Sequence, residues 1–201
     1  MKKTFSEQVG RSMLEAIGYI SIGMILAVSI ATAVNSGYFR FRIGRMHQQL
    51  MDLKKVVSQR YVAAEGYNNV KLDTLIEEKI IPFELRGKTH AFGGKIDIGP
   101  GEGDNGETFY IKFESLPPQS CVELGSILWV VNDGSDLDSL DINGTIWAWK
   151  YSSSTEGKTV KYELPVKTID VNSACNPVCQ DEEGKIIKCP ANSSYIKWYF
   201  T

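Results

Sequence analysis

The chain is poor in the residues that most enzyme chemistry uses. It has two histidines, His47 and His90, in 201 residues, and neither belongs to a Ser/His/Asp, Cys/His or HExxH arrangement. We expect both to be solvated or hydrogen-bonded. It also has no excess of charge, since 22 basic and 24 acidic side chains give a formal net charge of −2, which provides no general attraction to nucleic acid. The sequence therefore predicts no catalysis, no cofactor and no nucleic-acid partner.

Charge is almost absent from one segment near the N-terminus. Glu15 is the only formally charged residue between residues 13 and 39, and this segment exceeds the roughly 20 residues that a helix needs to cross the hydrocarbon of a bilayer. Basic residues precede it, at Lys2, Lys3 and Arg11. By the positive-inside rule, the N-terminus is cytoplasmic and the rest of the chain is exported.

The residues allow three interpretations of this segment. It is an uncleaved signal anchor, or a signal peptide cut at the A-x-A sequence that ends at Ala33. In the third interpretation, a polar leader ends at Gly10, and Arg11-Ser-Met-Leu-Glu15 opens a long apolar helix. This arrangement resembles the class III leader of type IV prepilins, in which a membrane peptidase cuts after the glycine and the apolar helix stays on the mature protein.

The resemblance implies roles for three residues. Cleavage falls after Gly10, and Arg11 becomes the first mature residue, where the family generally has an apolar one. Glu15 becomes the fifth, where a glutamate is the family's signature. A carboxylate at the edge of the hydrocarbon costs several kcal/mol unless it is paired. Pairing with the new α-amino group of a neighbouring subunit would set the axial offset of adjacent helices.

A purely local role for Glu15 is the alternative. Ser12 and Glu15 have the S-x-x-E spacing of a capping box, in which Ser12 begins the helix and Glu15 bonds back to its backbone. Arg11 and Glu15 are also four positions apart, which is the spacing of an ion pair along a helix. On either alternative Glu15 stabilises its own helix and has no function in assembly.

The helical pattern continues beyond the apolar segment, to about residue 64. Apolar residues recur there at spacings of three and four, with polar residues between them. This stripe consists of Ile43, Met46, Leu50, Leu53, Val57 and Tyr61. A helix that is apolar all round in its first half needs lipid or other helices, whereas a one-sided stripe needs a sheet. We therefore expect the second half of the helix to pack on a sheet.

Short segments with alternating apolar and polar residues follow, as is typical of half-buried antiparallel strands. We expect strands at residues 95–99, 108–114, 145–151, 160–166 and 194–200, and short helices at residues 72–80 and 117–127. A long helix followed by a helix-interrupted sheet makes an α+β fold.

This part of the chain resembles the larger type IVb pilins, the group of toxin-coregulated, longus-like and conjugative thin-pilus subunits. The resemblance rests on Ile81-Pro82, Phe92-Gly93-Gly94 and Leu116-Pro117 before Cys121-Val122-Glu123-Leu124. It implies the type IV pilin fold, a long N-terminal helix packed on an antiparallel sheet with a disulfide-bonded C-terminal region. The chain then divides into a leader at 1–10, a helix at 11–66 (membrane or filament core 11–39, amphipathic half 40–66) and a globular head at 67–201.

All four cysteines lie in the exported part, where an even number predicts two disulfides. Cys179 and Cys189 flank a short segment as the two arms of a tight hairpin would, so we favour a bond between them. That leaves Cys121 with Cys175, which would be the equivalent of the disulfide that encloses the family's variable D-region, here about residues 121–189. The alternative pairing is Cys121 with Cys189 and Cys175 with Cys179.

The cysteines and a group of four aspartates could each suggest a metal site, but in both cases we favour an interpretation without metal. The cysteines lack a nearby histidine and lie in an oxidising compartment, which disfavours zinc. Asp133, Asp136, Asp138 and Asp141 suggest calcium but lack the spacing and the closing glutamate of an EF-hand. We expect a solvated acidic loop at these aspartates and no metal.

The combined prediction is the major pilin of a type IVb pilus, a helical homo-oligomeric filament. The resemblance implies its partners, which are a prepilin peptidase, an assembly platform, an ATPase and an outer-membrane secretin. The subunit would cross the bacterial inner membrane once before it joins an extracellular filament used for adhesion, aggregation or conjugation. The alternatives are a type II secretion pseudopilin, which generally lacks two disulfides, and a membrane-anchored periplasmic binding domain.

Overall fold

The computed structural model contains two compact units, Met1–Arg42 and Ile43–Thr201. It describes residues 4–61, 66–101, 106–127, 137–148, 162–164, 166–176, 178–180, 186–188 and 193–201. The described part of the first unit is entirely helical, and the second unit combines helices with two sheets.

Helix α1 spans Thr4–Tyr61. It begins at Thr4, ahead of the start that we expected at about residue 11. The predicted leader contains good helix formers in Glu7 and Gln8, and Gly10 costs only about 1 kcal/mol inside a helix. Ser12 is therefore an interior residue and not the N-cap, so the capping-box interpretation of Glu15 is wrong.

The main sheet of the second unit has six strands in the order β1-β2-β8-β3-β4-β5. They are β1 (Ile96–Pro100), β2 (Phe109–Leu116), β3 (Leu137–Ile142), β4 (Thr145–Ala148), β5 (Tyr162–Glu163) and β8 (Ser194–Phe200). A second sheet pairs β6 (Val178–Gln180) with β7 (Ile186–Lys188). All described pairings are antiparallel except that of β4 with the two-residue β5, which is parallel. The predicted strands beyond Ala148 continue into residues 149–161, which lie outside the described residues.

Three short helices and one 3-10 turn complete the second unit. They are α2 (Leu72–Glu77), the turn Phe83–Leu85, α3 (Pro118–Gly125) and α4 (Thr168–Cys175). Helix α2 ends before the predicted residue 80, because Lys79 has a φ of 59°, the left-handed conformation that terminates helices. Helix α4 was not predicted, because it buries only Val171 and Cys175 and so has no repeating apolar stripe.

One hydrophobic core contains both the amphipathic end of α1 and the inner face of the sheet. The predicted stripe is confirmed: Met46, Leu50, Leu53 and Val57 are fully buried, and Tyr61 is nearly so. The sheet contributes mainly aromatic and branched side chains, among them Phe109, Ile111, Phe113, Trp198 and Phe200. The expectation of a long helix that packs on a largely antiparallel sheet is therefore confirmed.

Strand β3 was not predicted, because its apolar residues do not alternate. Leu137 and Leu140 are both buried although they are three positions apart. The pairing of β3 with β8 shifts register between Leu137 and Ser139, and such a bulge turns successive apolar residues to the same face. The predicted solvated acidic loop is wrong in this strand, since Asp138 is buried. Asp133 and Asp136 lie outside the described residues.

His90 is a buried, hydrogen-bonded side chain, as predicted. Its Nδ1 accepts the N–H of Phe92 at 3.1 Å, and its Nε2 lies 2.7 Å from the carbonyl oxygen of Glu114. Because Nδ1 is the acceptor, the proton sits on Nε2, which donates to the carbonyl. Gly94 lies directly against this contact, and a Cβ there would overlap both the Glu114 carbonyl oxygen and the imidazole.

We expect Gly94→Ala to lower the free energy of unfolding by about 2–4 kcal/mol, because the overlapped carbonyl belongs to a sheet strand and cannot move freely. The matched control is Gly87→Ala, whose Cβ would meet only the Thr89 hydroxyl, at 3.6 Å. Chemical denaturation of the full chain in detergent measures both. Equal stability of the two variants would contradict the assigned role of Gly94.

Candidate assembly surface

The first unit presents a helix surface that is apolar and uncovered. Thirteen large apolar side chains of α1 between Met13 and Phe41 are between 57% and 69% exposed, while Phe39 is partly buried. Helix α1 is long and apolar enough to cross a membrane, since its most apolar part has a mean hydropathy of 2.1. Contiguous apolar surface of this extent is unfavourable in water and marks a site of contact with lipid or protein.

Four hydroxyl groups on this surface are hydrogen-bonded within the helix itself. The hydroxyls of Ser21, Ser29, Thr32 and Ser36 donate to backbone carbonyls one turn earlier, at 2.7–3.1 Å. No water is available in hydrocarbon to bond such groups, so internal pairing removes the cost of burying them. The segment is therefore compatible with a lipid environment and with a close-packed protein environment.

Glu15 is the one carboxylate on this surface. Its side chain is exposed, and Oε1 accepts a hydrogen bond of 3.4 Å from the hydroxyl of Tyr19, one turn further along α1. This distance is long for a hydroxyl donor, so the carboxylate keeps the capacity to accept a stronger donor. Gly10 and Arg11 lie in the same helix. We had not predicted Tyr19 as a partner, although its spacing of four from Glu15 is a sequence signal.

A disulfide joins the two short helices of the C-terminal region. Cys121 in α3 and Cys175 in α4 are fully buried and bonded, with their Cα atoms 5.7 Å apart. The predicted disulfide-bonded C-terminal region is thereby confirmed. Cys179 lies in β6, which pairs with β7 in antiparallel fashion, while Cys189 lies outside the described residues. A Cys179–Cys189 bond stays a prediction.

The turn between β3 and β4 is anchored by Asn143, which has a φ of 51°. Its Nδ2 donates to the carbonyl of Ala174 in α4, and its Oδ1 accepts the N–H of Tyr195 in β8, both at 2.8 Å. Asp141 accepts the N–H of Gly144 at 2.8 Å. Asn143 therefore ties the disulfide-bonded helix α4 to the central strand of the sheet.

Asp141 has a structural role in this cluster. The hydroxyl of Tyr195 lies 3.4 Å from its Oδ1. Burial, reinforced by the negative charge of Asp141, raises the pKa of Tyr195 to about 12. Among the residues that the structure describes, no group of three or more His, Cys, Asp or Glu side chains lies close enough to hold a metal ion.

The exposed apolar helix, the sheet packed on its continuation and the C-terminal disulfide together define a type IV pilin. A family model described as PilS N terminal matches residues 42–188. The chain belongs to this family of type IV pilins.

The solved structures that resemble the chain include two pilins. TcpA, a type IV pilin from Vibrio cholerae El Tor biotype, aligns with a TM-score of 0.50 at 11% identity over 80% of this chain and 99% of TcpA. A type IVb pilin from Salmonella typhi aligns with a TM-score of 0.48 at 14% identity over 77% of this chain and 97% of that one. No curated protein sequence matches. At such low identity the likeness to TcpA establishes the fold.

We expect Asn143→Ala to destabilise the second unit by about 2–4 kcal/mol, because it removes two hydrogen bonds and leaves an alanine in a left-handed conformation. Asn176→Ala is the control, since among the described residues the Asn176 amide bonds to the neighbouring, exposed Asn172, and it should cost less than about 1 kcal/mol. Thermal unfolding under oxidising conditions compares them. If the control were the more damaging change, the anchoring role would be refuted.

Proposed function

We propose that this chain is the major structural subunit of a type IVb pilus and polymerises through α1 into a surface filament. The observation that supports this function is the uncovered apolar half of α1, which carries a single carboxylate near its start. Lipid covers this surface before assembly, and the same surface of other subunits covers it afterwards. The proposal assigns the chain no catalytic role, and the filament serves adhesion, aggregation or conjugation.

Before assembly, the first unit crosses the inner membrane once, with its N-terminus in the cytoplasm. Charge alone does not decide this orientation, because the three basic residues before the apolar segment are matched by Arg40, Arg42 and Arg45 just after it. The disulfide is the better support. A buried Cys121–Cys175 bond forms in an oxidising compartment, so the second unit lies on the exported side.

Processing by a prepilin peptidase after Gly10 would create the mature subunit. The cut removes Lys2, Lys3 and the rest of the polar leader and leaves a charged α-amino group on Arg11, four residues before Glu15. An assembly platform driven by a cytoplasmic ATPase then moves the subunit from the membrane into the filament, which leaves the cell through an outer-membrane secretin.

N-terminal sequencing of the protein purified from its bacterial host should find Arg11 as the first residue. We expect Gly10→Leu to retain Met1, because a bulky side chain at the cut blocks the peptidase. Gly18→Ala should be processed normally, since its added Cβ would lie in open space beside the helix backbone. A wild-type start at Met1 would instead indicate a signal anchor, and a start at Val34 a secreted domain.

In the filament, Glu15 would pair with the α-amino group of a neighbouring subunit. Both charges enter an apolar environment, where an unpaired charge costs several kcal/mol. Only one axial offset between two helices brings the two groups together. The pair therefore fixes the axial position of each added subunit relative to its neighbour. The apolar contacts between helices supply most of the binding energy.

We expect Glu15→Ala to abolish filaments while the second unit stays folded, because the neighbour's α-amino group would be buried without a partner at a cost of several kcal/mol per subunit. Ser21→Ala is the control on the same helix, since the Ser21 hydroxyl bonds only to the Ile17 carbonyl, at 2.8 Å. Electron microscopy counts filaments, and protease resistance checks the fold. Normal piliation of the Glu15→Ala variant would contradict the proposal that Glu15 sets the axial offset between subunits.

A further inference from the structure

The uncovered apolar surface of α1 ends in a band of aromatic and arginine side chains. We call Tyr38, Arg40, Phe41 and Arg42 the arginine band. Tyr38 is 59% and Phe41 63% exposed. At about 1.5 Å per residue the band begins roughly 6 Å beyond Val34, where the apolar run ends. The polar layers of a bilayer extend about 5–8 Å beyond its hydrocarbon, so the band lies at the depth of the lipid headgroups.

The side chains of the band are directed back toward the apolar segment. In an α-helix, each Cα–Cβ bond tilts toward the helix N-terminus, which is the membrane side here. The guanidinium of Arg42 follows this direction and lies over the Tyr38 ring, 5.5 Å from its centre and one turn nearer the membrane. Its apolar stem can lie along the helix while its charged end stays at the interface.

The band carries positive charge without acidic residues nearby in the sequence. No carboxylate occurs between Glu15 and Asp52, and the formal charges within that interval are Arg40, Arg42 and Arg45. Arg45 differs from the other two in pairing with a carboxylate of the second unit, Glu84, at 2.5 Å. Arg40 and Arg42 are about 200° apart around the helix axis. They therefore lie on opposite sides of α1, and each would face different lipid molecules.

We propose that the arginine band binds phosphate groups of anionic phospholipids at the exported surface of the membrane before assembly. A guanidinium offers paired donors that match phosphate oxygens, and the Tyr38 and Phe41 rings occupy the interface, where aromatic side chains are enriched. This inference rests on the proposed membrane-anchored precursor. These contacts fix the depth of α1 and must break when a subunit leaves the bilayer for the filament.

The test uses the full chain in phosphatidylcholine bilayers that contain a trace of spin-labelled phosphatidylglycerol or spin-labelled phosphatidylcholine. Electron paramagnetic resonance gives the preference of the protein for the anionic lipid. We expect the double variant Arg40→Gln/Arg42→Gln to bind phosphatidylglycerol at the exported end about fivefold less tightly for each arginine removed. Arg45→Gln is the matched control and should keep the preference. The basic residues of the leader are the same in every variant.

Three outcomes would overturn the proposal. The first is a wild-type chain that shows no preference for phosphatidylglycerol. The second is a double variant that keeps the wild-type preference, and the third is an Arg45→Gln control that loses as much preference as the double variant. None of these results would contradict the proposed filament function, because the experiment measures the membrane-bound subunit and not the filament. Failure of the proposed function is distinguishable, since a chain that does not span the bilayer would immobilise neither lipid. A preference that weakens as salt is raised supports ionic recognition.

Discussion

The uncovered apolar half of α1 is the constraint on which the rest of the structure depends. A helix with side chains such as Ile20, Met24 and Leu26 more than half exposed has no stable state as a free monomer in water. It requires lipid or a layer of other helices, and its single carboxylate, Glu15, requires a partner in either environment. A head domain must therefore be attached without covering this surface.

The second unit contains only the end of α1 as a core element. The stripe from Met46 to Val57 is fully buried, and burial of each large aliphatic side chain contributes about 1.5–3 kcal/mol. The ion pairs beside it, Arg45–Glu84 and Arg60–Glu78, are largely exposed, so solvent screens them and they contribute little to stability. The apolar stripe, and not the surface charges, therefore holds the helix in the head.

The elements that could be predicted from the sequence are those whose apolar residues recur with a regular period. The alternation of β8 from Ser194 to Trp198 and the spacing of three and four from Met46 to Tyr61 predict their elements correctly, because burial follows a regular period in both segments. Strand β3 breaks its alternation at a bulge beside Ser139, and α4 buries too few residues to form a stripe, so neither is visible locally. At the assembly surface, Glu15 is visible as an isolated charge. Lys2, Lys3 and Arg11 do not by themselves fix the orientation of the helix, because Arg40 and Arg42 lie at the other end of the apolar segment.

The order of the sheet constrains when the head can fold. Strand β8, the last in chain order, lies between β2 and β3 in the sheet, and its Trp198 and Phe200 are fully buried. Without β8 the strands β2 and β3 have no pairing partner between them, and the core that receives α1 stays open. Pairings of such long sequence separation form late. If α1 anchors the chain during export, the sheet closes only after residues up to Phe200 have crossed, so the membrane helix holds an unfinished head at the membrane until the whole sheet can form.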